Sequence, residues 1–253
     1  MIQLKNSVQI KAMREAGRIT GEALLVAREH IRPGVSTLTL DTVIREYIER
    51  QGAKPSFLGL YGFPGSACIS INDEVIHGIP SKHRILEEGD IVKIDVGAAI
   101  GGFHGDSART YPVGKVSREA EALIAATKQS FYEGVAAFRA GNRIGDIGHA
   151  VESYVKKFGF SVVRAYVGHG VGHSVHESPD VPNYGTPGHG PRLCAGMVLA
   201  IEPMVNVGRS EVVQLSDGWT VKTADHSLSA HYENTVALTE DGIINLTEVE
   251  TET

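Results

Sequence analysis

The spacing of apolar residues changes repeatedly along the chain, and each change marks an element. Ser7 can cap a helix that runs with helical periodicity to about His30 and ends before Pro33-Gly34. A second helix follows over residues 39–50 and stops at Gly52. Residues 67–71 and 91–96 are short and rich in β-branched side chains, which predicts strands. GAAIGGFHGDSARTYPV (97–113) predicts a hairpin with glycine at its bends. The second part of the chain repeats the plan: a helix over 118–139 ending at Gly141, and a helix over 145–157 ending at Gly159. Strands are expected near 160–168, 197–202, 211–215, 219–224 and 230–238.

The repetition extends to single positions. At an offset of 107, residues 34–52 align without a gap on residues 141–159. Gly34 meets Gly141, Leu40 meets Ile147, Ile44 meets Val151, Tyr47 meets Tyr154, Ile48 meets Val155, and Gly52 meets Gly159. The same offset carries GDIVKIDVG (89–97) onto GMVLAIEPM (196–204), so Asp95 falls on Glu202. Helix–helix–strand–strand order used twice predicts an α+β fold with antiparallel sheet and internal pseudo-twofold symmetry. One domain is expected over 1–253, with halves of roughly 1–115 and 116–253, because candidate site residues come from both.

Composition narrows the field only a little. The chain has 253 residues, 42% hydrophobic and 21% charged, as ordinary globular proteins do. A net charge of −6 argues against a nucleic-acid surface, which is usually strongly basic. Cys68 and Cys194 form neither a disulfide framework nor a CxxC pair, so a cytoplasmic protein is expected. Residues 1–17 lack the apolar core of a signal peptide, and no run of about 18 apolar residues exists to span a membrane.

The chemistry lies in the acids. Asp95 and Asp106 are 11 residues apart across the expected hairpin, and Glu202 and Glu233 occupy the related places in the second half. Pro203 holds Glu202 extended, and Glu233 lies in an apolar stretch where a lone carboxylate would be costly. Singly, each acid reads as a salt-bridge partner or an exposed hairpin residue. Together, with a duplication linking two of them, they read as a metal site. Four ionised carboxylates crowded together repel, so either protons or cations must neutralise them. Two divalent ions, roughly 3.5–4 Å apart as in two-metal hydrolases, balance that charge.

GHGVGHSVHESP (168–179) supplies His169, His173 and His176. His169 and His173 have the spacing of a helical zinc site, but Gly168, Gly170 and Gly172 argue for an extended segment. One histidine among four carboxylates makes a fairly hard, oxygen-rich site suited to manganese, iron(II) or cobalt. His77, in EVIHGIPS, reads by itself as a surface-loop histidine.

Taken together, HGIP (77–80), IDVG (94–97), FHGD (103–106), GHGVGH (168–173), IEPM (201–204) and YEN (232–234) resemble type I methionine aminopeptidases over nearly the whole chain. The resemblance implies the pita-bread fold, in agreement with the repeat. It also implies that Asp95 chelates one metal, that His169 and Glu202 complete the other, and that Asp106 and Glu233 bridge them. Glu202 is then the general base for a metal-bridging water. His77 and His176 hold the scissile amide and stabilise the oxyanion. His173 has no counterpart and reads as a spacer. Phe57, Leu60, Phe63, Cys68 and Trp219 match the methionine pocket, where Cys68 is a small apolar thiol. Val175 is smaller than the residue expected at the pocket rim. Asn72, Glu74 and Ser229 match a region where family members can bind a monovalent cation.

The implied activity is removal of the initiator methionine from nascent chains whose second residue is small. The partners implied are nascent polypeptide N-termini, with transient contact to the ribosome. Neither membrane nor direct nucleic-acid binding is expected, and a monomer is the default. A proline-directed pita-bread peptidase, a non-catalytic binding protein on the same fold and a metal-storage protein are the alternatives. The first usually needs an extra N-terminal domain, and a type II enzyme would carry an insertion between Glu202 and Glu233. Non-catalytic relatives lose ligands that this chain retains. Storage would leave His77 and His176 without a purpose.

Overall fold

The structure, a computed structural model, describes residues 1–249; the last four residues of the expected domain lie outside it. Helix α1 spans Ser7–His30 and α2 spans Thr37–Arg50. Their counterparts in the second half are α3, Arg118–Ala137, and α4, Ile144–Val155. The cap of α1 is Asn6, one residue earlier than expected. Its side chain accepts from Gln9 N at 2.9 Å while the Gln9 side chain accepts from Asn6 N, also at 2.9 Å. Two N–H groups are satisfied that way, where Ser7 alone would have served one. Helix α2 begins two residues before the expected start because Ser36 caps it.

The matched glycines of the repeat have a backbone cause. Gly34 and Gly141 have φ of +88° and +94°, and Gly52 and Gly159 have +73° and +76°. No atom lies within 4 Å of a Cβ built at any of the four. Left-handed backbone at the ends of these helical segments, rather than crowding, is what calls for glycine there.

Nine strands form the main sheet, and every pairing in it is antiparallel. Its order is Lys54–Pro55, Ile91–Ile100, Phe103–Pro112, Glu233–Thr239, Val198–Ile201, Gly168–Gly170 and Glu177–Val181. Ala67–Ile71 also pairs with Ile91–Ile100, and Gly242–Asn245 with Glu233–Thr239. The two halves of the chain therefore meet in mid-sheet, where Phe103–Pro112 pairs with Glu233–Thr239. The described residues also form two smaller three-stranded sheets. The expected strand over 160–168 is split: only Ser161–Val162 is a strand there, in a small sheet, and Gly168–Gly170 joins the main one.

Alternation decides what each face carries. Val92, Ile94, Val96 and Ala98 pack with Ile19 and Leu24 of α1 and Leu40, Ile44 and Ile48 of α2. Lys93, Asp95 and Gly97 are thereby turned to the other face. In the second half, Phe131 and Ile147 from α3 and α4 pack with Leu199, Ile201, Val236 and Leu238. Helix α1 also approaches the hairpin backbone closely: a Cβ on Gly105 would lie 2.8 Å from the backbone of Gly17. That contact fixes the strand immediately before Asp106.

Candidate active site

Asp95 lies directly opposite Ala108, and Ala108 lies directly opposite Glu233. Asp95, Ala108 and Glu233 thus form one row across three strands, and directly opposed residues share a face. Asp106 precedes Ala108 by two positions and points the same way. His169 is opposite Ala200, and Glu202 follows the end of that strand.

The ligand atoms of Asp95, Asp106 and Glu233 all lie within 4.8 Å of one another. So do those of His169, Glu202 and Glu233, and those of Asp106, His169 and His176. Glu233 is shared between the first two groups and Asp106 between the first and third. All five residues expected as ligands are therefore gathered in one place, with Asp106 and Glu233 in the middle.

These residues fit divalent cations on their own chemistry. Asp95 Oδ1, Asp106 Oδ1 and Glu233 Oε1 are buried and have no hydrogen-bond partner. Such atoms cost about 1–3 kcal/mol each unless something else satisfies them. Burial pushes Asp95 up to about 7 and Glu202 up to about 8. Asp106 and Glu233 are raised well above the ordinary carboxylate range, by burial first and by their acidic neighbours second. His169 is depressed to about 3 by burial and by nearby His176, so its ring is neutral. Its Nδ1 lies 2.9 Å from Gly170 O, which can only accept, so Nδ1 carries the hydrogen. Nε2, with its lone pair, faces Glu202 at 3.5 Å and Asp106 at 3.7 Å. An oriented neutral imidazole among carboxylates that burial discourages from ionising is the donor set of a cation site.

A cavity of about 360 Å³ opens onto this cluster. Its lining includes Asp95, Asp106, His169, Glu202, Glu233, His77 and His176, together with Phe57, Leu60, Phe63, Cys68 and Trp219. Phe57, Phe63, Cys68 and Val175 form an apolar cluster, with Leu60, Ile79 and Trp219 packed against it. Phe63 and Trp219 meet edge to face, 5.1 Å between centroids. Trp219 is held beside its turn by Asp217, whose Oδ1 accepts from Trp219 N at 2.9 Å. The Cys68 thiol is raised well above its ordinary value by burial and then by Asp95 and Asp106, so it stays neutral.

His77 and His176 stand at the cavity without belonging to the five-residue set. Burial lowers His77 to about 4, with smaller contributions from His231 and His176, and also lowers His176. His77 sits edge-on to Tyr166 and Trp219, and Tyr61 stacks near His176. His173 turns elsewhere: it stacks on Phe103 at 4.3 Å, with Nδ1 2.8 Å from Gly102 O.

Sequence reasoning missed His231. It is 1% exposed, with Nε2 3.6 Å from Glu202 Oε2, and neither ring nitrogen has a hydrogen-bond partner. The available signal was its two-residue spacing from Glu233. Tyr61, Tyr166 and Asp180, which also line the cavity, carried no comparable signal.

Asn72, Glu74 and Ser229 lie apart from this cavity's lining, and the chain itself supplies partners to each. Ile91 N donates to Asn72 Oδ1 at 3.0 Å. Glu74 accepts from Ile71 N and pairs with Arg84. Ser229 Oγ donates to Asn206 Oδ1 at 2.8 Å.

Among the described residues, no helix is long and apolar enough to cross a membrane. Residues 11–240 match the profile of metallopeptidase family M24. The chain is 56% identical over 242 residues to a methionine aminopeptidase of Clostridium perfringens, covering 96% of this chain and 97% of that protein. The crystal structure of methionine aminopeptidase from Thermotoga maritima superposes with a TM-score of 0.97 at 42% identity, covering 98% of this chain and all of that one. Prolidase from Pyrococcus furiosus shares the fold, with a TM-score of 0.79 at 24% identity; the match covers 98% of this chain but 66% of that one. The chain belongs to metallopeptidase family M24, and within it to the type I methionine aminopeptidases.

Proposed function

We propose that this chain removes the initiator methionine from nascent polypeptides whose second residue is small, acting in the cytoplasm as a monomer. Two divalent ions, manganese, iron(II) or cobalt, are its cofactors in this reading. Asp95, Asp106 and Glu233 would hold one ion, His169, Glu202 and Glu233 the other, with Asp106 beside both. The observation that carries the reading is the convergence of these five side chains at the floor of a cavity whose wall is apolar. When bound, such ions supply Lewis acidity for water and carbonyl and a counter-charge for the free α-amine.

The chain's own groups do the rest. The Phe57, Phe63, Cys68 and Trp219 wall takes the methionine side chain, for which soft aromatic and sulfur contacts are suited. Glu202 takes the proton from the attacking water and passes it to the leaving amine. His77 and His176, kept neutral, each offer one N–H to the scissile amide and the oxygen that becomes negative. Nascent-chain N-termini are the macromolecular partners in this reading, met through transient contact with the ribosome.

The test is a metal titration of stripped protein against Met-Ala-Ser and Ala-Pro-Ala. Release of methionine from the first peptide only, restored by manganese, iron(II) or cobalt, is expected. Cleavage of the second alone would move the activity to the proline-directed peptidases, and silence on both with metal bound would leave a binding protein.

A further inference from the structure

Lys5 precedes the first helix, where a lysine usually reaches into solvent, yet it is only 5% exposed. Its Nζ donates to Glu177 Oε2 at 2.7 Å. Glu177 is the residue after His176, and it begins the strand that pairs with Gly168–Gly170. Residues 171–176 are the loop between those two strands. The other Glu177 oxygen, Oε1, accepts from His173 N at 2.7 Å and from Ser174 N at 3.2 Å. One carboxylate therefore folds the loop back on itself and joins it to Lys5. Gly172 leaves room for this: a Cβ there would lie 2.4 Å from Lys5 Cε and 2.5 Å from Glu177 Oε1. Lys5 is anchored in turn by its backbone, whose N–H donates to Gly196 O at 2.7 Å. Gly196 stands two residues before the strand Val198–Ile201, which Glu202 follows.

Lys5, His173 and Ser174 all donate to Glu177, which suits a carboxylate anion. A buried anion left without its cation is unfavourable. Its easiest relief is to turn out to water, which releases the His173 and Ser174 N–H groups and unpins the loop. Val175, in the apolar cluster of the cavity wall, and His176 lie in the stretch that would move. A shift of about 1 Å in a group that acts on the substrate can cost about 100-fold in rate.

We propose that Lys5 is a positioning residue for methionine release: through its ion pair with Glu177 it holds the His176 ring in place at the cavity, opposite Glu202. The proposal rests on the activity proposed above, in which His176 acts on the scissile amide. Lys5 lies outside the cavity's lining, so its effect travels through the loop. One consequence distinguishes this from ordinary packing. A glutamine at position 177 accepts the same two N–H groups through its amide oxygen and needs no cation. The loss caused by removing the Lys5 charge is therefore repaired by also removing the charge of Glu177.

The experiment compares the metal-loaded protein with Lys5→Met and with the double variant Lys5→Met, Glu177→Gln. It reads kcat and KM for Met-Ala-Ser, metal content, and hydrogen exchange at the His173 and Ser174 amides. Lys5→Met is expected to lower kcat about 10- to 100-fold, with KM within about threefold of the parent's and metal content unchanged. Both amides should exchange at least about 10-fold faster. The double variant is expected to recover most of the turnover and the slow exchange. Unchanged kcat in Lys5→Met would overturn the proposal, as would loss of metal, failure of that variant to fold, or a double variant no better than the single one. If the unsubstituted protein releases no methionine, the activity proposed above is what fails. Exchange then decides the role of Lys5 in holding the loop: amides as slow in Lys5→Met as in the parent would overturn it.

Discussion

Asp95 and Glu233 reach one another across a single alanine. Each lies directly opposite Ala108, from the two strands that flank it. Asp95 belongs to the first half of the chain and Glu233 to the second, so the row exists only because the halves join edge to edge. Ala108 is completely buried. It leaves the space between the two acids open for something other than protein. Ala108→Leu is expected to fill that space, costing about 1–3 kcal/mol of stability by overpacking and sharply reducing bound divalent metal. Ala108→Gly should retain the metal. Metal analysis after dialysis checks both, and full metal occupancy in Ala108→Leu would contradict the placement.

Asp106 carries opposite consequences in the two states of the site. Without cations its buried carboxyl is raised by burial and then by Asp95 and Glu202. Asp106→Asn should therefore stabilise the stripped protein by about 1–3 kcal/mol and destabilise the loaded one by removing a ligand. Calorimetry on both forms is the check. A variant less stable than its parent in the stripped form would show that the acid has another partner.

The pH dependence of the stripped protein follows from the same groups. Asp95 at about 7, Glu202 at about 8, and Asp106 and Glu233 well above the usual range all bind protons in the folded state that the unfolded chain has released. Stability then falls as pH rises through that range. His169 at about 3 and His77 and His231 at about 4 act in the opposite sense, but only up to their ordinary value of 6.5. Above it they are neutral in both states. Lys93, lowered to about 7, acts in the opposite sense above that pH. The stripped protein should accordingly lose stability between pH 6.5 and about 7. Saturating divalent metal should abolish the slope. Denaturant melts across that window test it; rising stability would mean that the acids are ionised by some other neutralising group.

His77 and His176 separate binding from chemistry. Replacing both with alanine is expected to lower turnover of a methionyl peptide by about 100- to 1,000-fold while metal content is unchanged. Neither belongs to the five-residue set, although His176 lies within ligand distance of Asp106 and His169. Loss of metal in the double variant would make His176 a ligand, and retained turnover with intact metal would remove both from the reaction.

Much of this was open to reading in one dimension. The helices, their glycine stops and the 107-residue repeat depend on local preferences, and local preferences recur wherever the same backbone recurs. Gly34 and Gly141, or Gly52 and Gly159, match because each must adopt positive φ. Asp95 and Glu202 stood out because an acid ending an apolar strand conflicts with its surroundings. The family motifs around His77, His169 and Glu233 were legible for a similar reason: several residue types in tight local spacing. Boundaries set by competing caps, such as Asn6 over Ser7, were less so, since either side chain could have served.

What the tertiary structure alone decided are relationships between segments distant in sequence. Strand pairing at Asn234↔Ser107 sets the row through Ala108, and no local preference specifies that register. His231 became part of the site because the fold buries it against Glu202, although its isolated type and spacing resemble those of any histidine in a strand. Lys93, which charge alone would place on the surface, is buried because Asn72, Asp73, Glu74 and Asp90 come round to meet it. Local sequence specifies backbone preference and the face on which a side chain lies. Which charges then become neighbours depends on how those faces close, and at short range and low dielectric that proximity governs their chemistry.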